Sequence, residues 1–186
     1  MAISRWIPAA AALLFLLPPS APATEALRKA PDFVINMPGG KTLPLSQYKD
    51  HPMVVAFILT GCSHCQHTVG ILTRMQNEYA PRGLQVVASA IEPEADKHLS
   101  LFLKNFAPSF PVGYNVGDSA LSFMQHPAGK IPMMPMLAFI DKQGNIRAQY
   151  EGDDPFFNEQ IEANIRKEIE SLMKPPAPAK KSTGRG

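Results

Sequence analysis

The sequence predicts an α/β domain built on a mixed β-sheet with helices on both faces. Three observations carry that expectation. Met53 to Leu59 and Leu84 to Ile91 are continuous apolar runs, as for strands buried on both faces. The segments after them carry apolar residues at helical spacing. Near the C-terminus two strand-like runs flank Asp141-Lys142-Gln143-Gly144-Asn145, a hairpin loop.

The elements follow in order. The run MVVAFIL at 53–59 is broken by Thr60-Gly61. Cys65 to Tyr79 places Val69, Leu72, Met75 and Tyr79 on one helical face, and Pro81-Arg82-Gly83 stops that helix. Leu84 to Ile91 is the second buried strand. Glu94 to Phe106 sets Leu99, Phe102, Leu103 and Phe106 on one face of a second helix. A short strand over Pro111 to Val116 and a short helix over Ser119 to His126 come next. Met136 to Ile140 and Ile146 to Tyr150 form the hairpin. Asp154 to Met173 closes the fold as one helix, with Asp154 as N-cap and Pro155 at its first position. Ile161, Ile165, Ile169, Leu172 and Met173 make its buried stripe.

Composition bounds the function. The 186 residues are 45% hydrophobic, which suits one domain with a real core. With 18 basic and 16 acidic side chains, the formal charge of +2 lacks the basic excess of a nucleic-acid protein. No apolar run approaches the ~20 residues that span a bilayer as a helix. Residues 1–23 have the layout of a secretory signal peptide: Arg5, an apolar stretch from Trp6 to Leu17, and Ala21-Pro22-Ala23 as the small-x-small site. The expected organisation is a signal peptide over 1–23, a domain over 24–173, and a disordered Pro/Ala/Lys-rich tail over 174–186. Export to the periplasm or beyond, with cleavage near Ala23, is expected from that layout, the alternative being an uncleaved N-terminal anchor, for which the apolar stretch is short.

Export sets the redox context, because a close cysteine pair outside a reducing cytosol is a structural bridge or a redox catalyst. The pair here is Cys62-Ser63-His64-Cys65. A bridge over two intervening residues constrains the unfolded chain little, which favours chemistry. Cys62 lies where a buried strand ends and a helix starts, and helix-start N–H groups favour an anionic sulfur. The division of labour follows: Cys62 attacks a partner disulfide, a mixed disulfide forms, and Cys65, one turn further in, resolves it. His64, as an imidazolium, stabilises the Cys62 thiolate and makes the disulfide a better oxidant. The other histidines, His51, His67, His98 and His126, stand among polar or turn residues and are expected to be isolated.

The segments Pro31-Asp32-Phe33, Gly39-Gly40-Lys41 and Leu45 to Asp50, then the strand and Cys62 to Cys65, resemble the TlpA/ResA-like family of exported thioredoxin-fold oxidoreductases. Met134-Pro135 leading into Met136 to Asn145, and Gly152 before a long helix, fit the same pattern. The resemblance covers Ala30 to Met173. It implies a thioredoxin-like fold with an N-terminal β extension, and a cis bond at Pro135 that leaves the Met134 backbone open to an extended substrate. It also implies a proton-moving carboxylate, for which Glu92 is placed ahead of Glu94. The implied partners are protein substrates with disulfides or thiols, such as apocytochrome c in cytochrome c maturation, and a membrane electron donor or acceptor. Neither cofactor nor nucleic acid is called for. Reduction is the implied direction, whereas His64 argues for a potential above the about −270 mV of thioredoxin, nearer about −180 to −120 mV.

Two departures stand out. Gly61 occupies the place commonly held by Trp, and Ala56 lies near the place of the buried acid of thioredoxins proper. Two alternatives remain. A copper chaperone would use Cys62, Cys65, His64 and His67, with Met133, Met134 and Met136 beside them, since soft sulfur ligands suit Cu(I). A peroxidase is suggested by Pro31-Asp32-Phe33, but Thr60 precedes Cys62 by only two residues, which does not match the peroxidatic loop.

Overall fold

The structure is a computed structural model that describes residues 28–174. The expected signal peptide over 1–23 and, beyond Lys174, the expected tail over 174–186 lie outside the described residues. Among the described residues the strands and α-helices are, in chain order, β1 (Arg28–Lys29), β2 (Val34–Met37), β3 (Lys41–Pro44), β4 (Met53–Ile58), α1 (Ser63–Tyr79), β5 (Gln85–Ala90), α2 (Ala95–Phe106), β6 (Val112–Tyr114), α3 (Gly117–Met124), β7 (Met136–Ile140), β8 (Asn145–Tyr150) and α4 (Ile161–Met173). The strands form one sheet in the order β1-β8-β7-β4-β5-β6-β2-β3. β4, β5 and β6 run parallel, and the remaining pairings are antiparallel. This is the mixed sheet of a thioredoxin-like fold.

β4 shows why the sheet is buried on both faces. Val54, Ala56 and Ile58 point into one core with residues of α1, α2 and α4. Met53, Val55 and Phe57 point into a second core with α3 and the β2–β3 hairpin. Successive side chains of a strand alternate faces, so an all-apolar run is what a central strand needs. The N-terminal extension is divided between the edges: β1 pairs with β8, and the β2–β3 hairpin joins β6. The second junction requires Gly113, because a Cβ there would lie 2.2 Å from the Asn36 carbonyl oxygen.

Three elements differ from expectation. α1 starts at Ser63 because Cys62 is its N-cap, the Cys62 sulfur accepting the Cys65 N–H. α3 ends at Met124, where Gln125 turns left-handed (φ 51°), so His126 lies beyond the helix. The expected single helix over Asp154 to Met173 is two pieces. Asp154 does cap, accepting from Phe156 N–H, but it caps a short 3-10 turn over Pro155–Phe157. Asn158 is extended, and α4 starts afresh at Ile161. The break lets Phe156 stack on Tyr150, with ring centroids 3.8 Å apart.

Candidate active site

Strand register gathers the candidate residues at one end of the sheet. β4 pairs in parallel with β5, Ile58 opposite Ala90, and Ile91 N–H donates to the Ile58 carbonyl at 3.0 Å. Glu92 therefore emerges beside the loop Leu59-Thr60-Gly61 that leads to Cys62. β7 pairs antiparallel with β4, Met136 opposite Phe57, so the segment entering β7 starts at the same end. The Met134–Pro135 bond in that segment is cis.

The two sulfurs occupy different environments. Cys62 is half-buried and its sulfur accepts the Cys65 backbone N–H at 3.3 Å. That bond satisfies one free donor of the first helical turn and sets the positive end of the N–H dipole against the sulfur. Cys65 is fully buried in the core beneath, with Leu59 N–H at 3.5 Å from its sulfur. Burial, then the hydrogen bond with Cys62, push the Cys65 thiol well above its ordinary value, while the Leu59 N–H pulls the other way. Both thiols are free.

Glu92 and Glu94 separate clearly. One Glu92 oxygen accepts the Thr60 backbone N–H at 2.9 Å and also the Thr60 hydroxyl. Its second oxygen, Oε2, is buried without a hydrogen-bond partner. The carboxylate is near enough to act on Cys65 through its charge. Glu94 is exposed, left-handed (φ 58°) and ion-paired with Lys97 on its own helix. His64 is exposed in the first turn of α1, and among the described residues its side chain makes no hydrogen bond.

Sequence reasoning missed the residues that fix this geometry. Thr60 holds Glu92, and the Gln66 side-chain amide donates to the Thr60 carbonyl at 2.8 Å. Thr60, the first polar side chain after an all-apolar strand, and Gln66, one turn into the helix, were the available signal. His126, expected to be isolated, is not. Its ring contacts Glu151 at 2.8 Å and the Lys130 carbonyl at 2.9 Å. His51 also has a partner, the Gly83 carbonyl at 3.1 Å.

The Redoxin family profile matches residues 25–164. The chain belongs to the Redoxin family. Among its relatives, the thiol-disulfide oxidoreductase ResA of Bacillus thuringiensis subsp. konkukian is 26% identical over 143 residues, 77% of this chain and 78% of that protein. The thiol:disulfide interchange protein, thioredoxin family protein, from Chlorobium tepidum TLS superposes with a TM-score of 0.66 at 20% identity, covering 79% of this chain and 97% of that one. The fold is thus shared well beyond sequence similarity. The resemblance to the TlpA/ResA-like family holds, and this Redoxin chain is a thioredoxin-like oxidoreductase of the thiol–disulfide class.

The surroundings of the Redoxin cysteines are open on one side. A groove of about 700 Å³ runs from Cys62 past Thr60 and Glu92 to Leu101, Phe102 and Phe106 on α2. A Cβ on Gly61 would meet nothing within 4 Å, so the place commonly held by Trp is empty space here. The proposed copper ligands are dispersed in character: Met136 is fully buried in the second core, whereas Met133 is 46% exposed. Among the described residues no group of three or more His, Cys, Asp or Glu is placed to hold a metal.

Proposed function

We propose that this chain is an exported enzyme that exchanges disulfides with protein substrates through Cys62 and Cys65. The observation that carries the reading is the contrast between the sulfurs. One is half-buried at a helix start, and the other is buried one turn inward as a neutral thiol. In the reductive direction, the Cys62 thiolate attacks one substrate sulfur and the other substrate sulfur leaves with the bonding pair, taking up a proton. Cys65 then gives up its proton and attacks the Cys62 sulfur. The substrate thiolate departs and the enzyme disulfide forms, so two electrons reach the substrate. Glu92, with its unpartnered oxygen, receives the Cys65 proton, and Thr60 orients it. Met134 offers backbone to an extended substrate beside Pro135. His64 stabilises the Cys62 thiolate across solvent. A membrane thiol donor restores the dithiol, and apocytochrome c in cytochrome c maturation is the substrate class that the ResA resemblance supports.

Trapping tests this reading. Cys65→Ala in the exported full-length chain should accumulate mixed disulfides that reductant dissolves, and Cys62→Ala should accumulate none. Equal trapping by both variants, or by neither, would remove the assignment of Cys62 as the attacking sulfur.

A further inference from the structure

The segment that carries Met134 is fastened from behind by two consecutive residues after β8. Gly152 N–H donates to the Met133 carbonyl at 2.8 Å. Its α-carbon packs so closely on the segment that a Cβ would lie 2.5 Å from the Met134 carbonyl oxygen. Next to it, Glu151 holds the other end of the loop: its Oε1 lies 2.8 Å from His126 Nδ1. His126 Nε2 in turn lies 2.9 Å from the carbonyl of Lys130, within the loop itself. The stretch from His126 to Met133 is therefore pinned at both ends to neighbouring residues of one strand end. It exposes the side chains of Ile131, between the pins, and of Met133, at the second pin, which are 79% and 46% accessible.

The pin at His126 has a definite proton count. A carboxylate oxygen and a carbonyl oxygen both accept hydrogen bonds. A neutral imidazole has one N–H and can satisfy only one of them. Keeping both contacts requires one further proton in the pair, on the imidazole or on Glu151. The site is secluded enough for this to matter, with the His126 and Glu151 side chains 3% and 14% exposed. Glu151 Oε2 is buried and has no hydrogen-bond partner. The charged groups facing His126 are Glu151 from the end of β8 and Lys130 from its own loop. Lys130 Nζ is 3.9 Å from Glu151 and 3.2 Å from Asp153. Loss of the extra proton breaks one of the two ring contacts, and with the remaining N–H kept on the Glu151 carboxylate it is the loop contact at the Lys130 carbonyl that is given up.

We propose that His126 and Glu151 are positioning residues for the substrate segment Met133–Pro135, the protonated pair clamping the loop and its deprotonation releasing it. The inference rests on the reading of Met134 as a substrate-facing residue and supplies that site with a pH-dependent control of affinity. The hydrogen bond that the ring donates to Glu151, then the one it donates to the Lys130 carbonyl, raise His126 above its ordinary value of 6.5. The sign follows. The clamp is complete below the ordinary value and is lost as pH rises through the raised one. Substrate affinity falls over the same range, whereas the bond-making step at Cys62 keeps its own dependence.

Two measurements on the intact chain test the clamp. The first needs no activity: an NMR titration of the His126 ring alongside the backbone amides of Met133 and Gly152. All three should share one midpoint above 6.5. A ring midpoint at or below that value, or loop amides that ignore it, would overturn the proposal. The second is KM and kcat for reduction of a fluorescent disulfide-linked peptide across about pH 5.5 to 8.5. The parent KM should rise with pH. His126→Gln and Glu151→Gln should show a KM raised about tenfold at the acid end and level with pH, kcat being unchanged. Variants with the parent's KM at every pH would also overturn it. A parent chain that reduces no disulfide would refute the proposed function instead, and the NMR titration would still decide the clamp.

Discussion

Gly152→Ala should damage the site from behind without touching a sulfur. Gly152 does not occupy the left-handed region that favours glycine, so the effect of an added methyl is steric. The new Cβ would sit 2.5 Å from the Met134 carbonyl oxygen and 2.7 Å from its carbonyl carbon, where ordinary contact begins at 3.4 Å. Both obstacles are backbone, so no side chain can rotate away, and the loop has to retreat by roughly 0.9 Å. Overpacking of this kind costs about 2 kcal/mol, or roughly 4–8 °C in Tm for a domain of this size. A displacement near 1 Å at the proposed substrate-positioning segment should weaken substrate binding and so reduce kcat/KM by as much as about 10²-fold. The assays are thermal unfolding of the reduced protein and kcat/KM on a disulfide-linked peptide. Gly61→Ala is the matched control. Its Cβ meets nothing within 4 Å although Cys62 is the next residue, so Tm should hold or rise slightly. A Gly152→Ala protein with parental Tm and kcat/KM would refute the claim that this glycine supports the segment before Pro135.

Glu92→Gln should slow resolution of the Cys62 mixed disulfide by about 10²-fold, with the first attack unchanged in single-turnover kinetics. Removing a negative charge also lowers the Cys65 thiol, so faster resolution would reassign Glu92 as an electrostatic brake. His64→Ala should shift the Cys62–Cys65 couple to a more reducing potential in a glutathione redox titration, and a parental potential at or below about −270 mV would remove the role of His64. The Cys65 thiol is held above its ordinary value of 9.0, so its neutral form stabilises the fold. That contribution is intact below pH 9.0 and erodes as pH climbs beyond it. Reduced parent should therefore lose Tm relative to Cys65→Ala in alkaline buffer, and parallel curves would contradict the burial argument.

Local pattern made much of this molecule legible. The apolar run over 53–59 announces a strand covered on both faces, and β4 is that strand. The strand–turn–helix context of Cys62 locates a helix start, and the sulfur turns out to be the cap itself. What stayed hidden are contacts between residues distant in sequence. Thr60 meets Glu92 across 32 positions, and His126 meets Glu151 across 25. No helical or strand period encodes such separations, so His126 reads as one more turn histidine until the sheet returns the chain beside it. The division of the last helix failed for a different reason. Asp154-Pro155 is an equally good start for a long helix or for one 3-10 turn. The choice falls to Phe156, whose stacking on Tyr150 depends on tertiary packing.

Topology explains why unrelated loops converge on Cys62. Parallel β4 and β5 deliver their C-terminal ends to one side, which brings Cys62 and Glu92 together. Antiparallel β7 begins at that side and β8 ends there, Leu137 pairing with Tyr150. The proposed substrate segment and its Glu151–Gly152 support thus come from adjacent strands. The consequence is a separation of duties. The sulfurs and Glu92 hang from the parallel half of the sheet, and the Met133–Pro135 segment with His126 and Glu151 hangs from the antiparallel half. On the proposed reading chemistry and affinity should vary independently, because the hydrogen bonds among Leu59, Cys62 and Cys65 involve no residue of that loop. Had the cysteines and the proposed substrate segment shared one loop, the proposed proton-driven change in binding would also disturb the spacing of the two sulfurs.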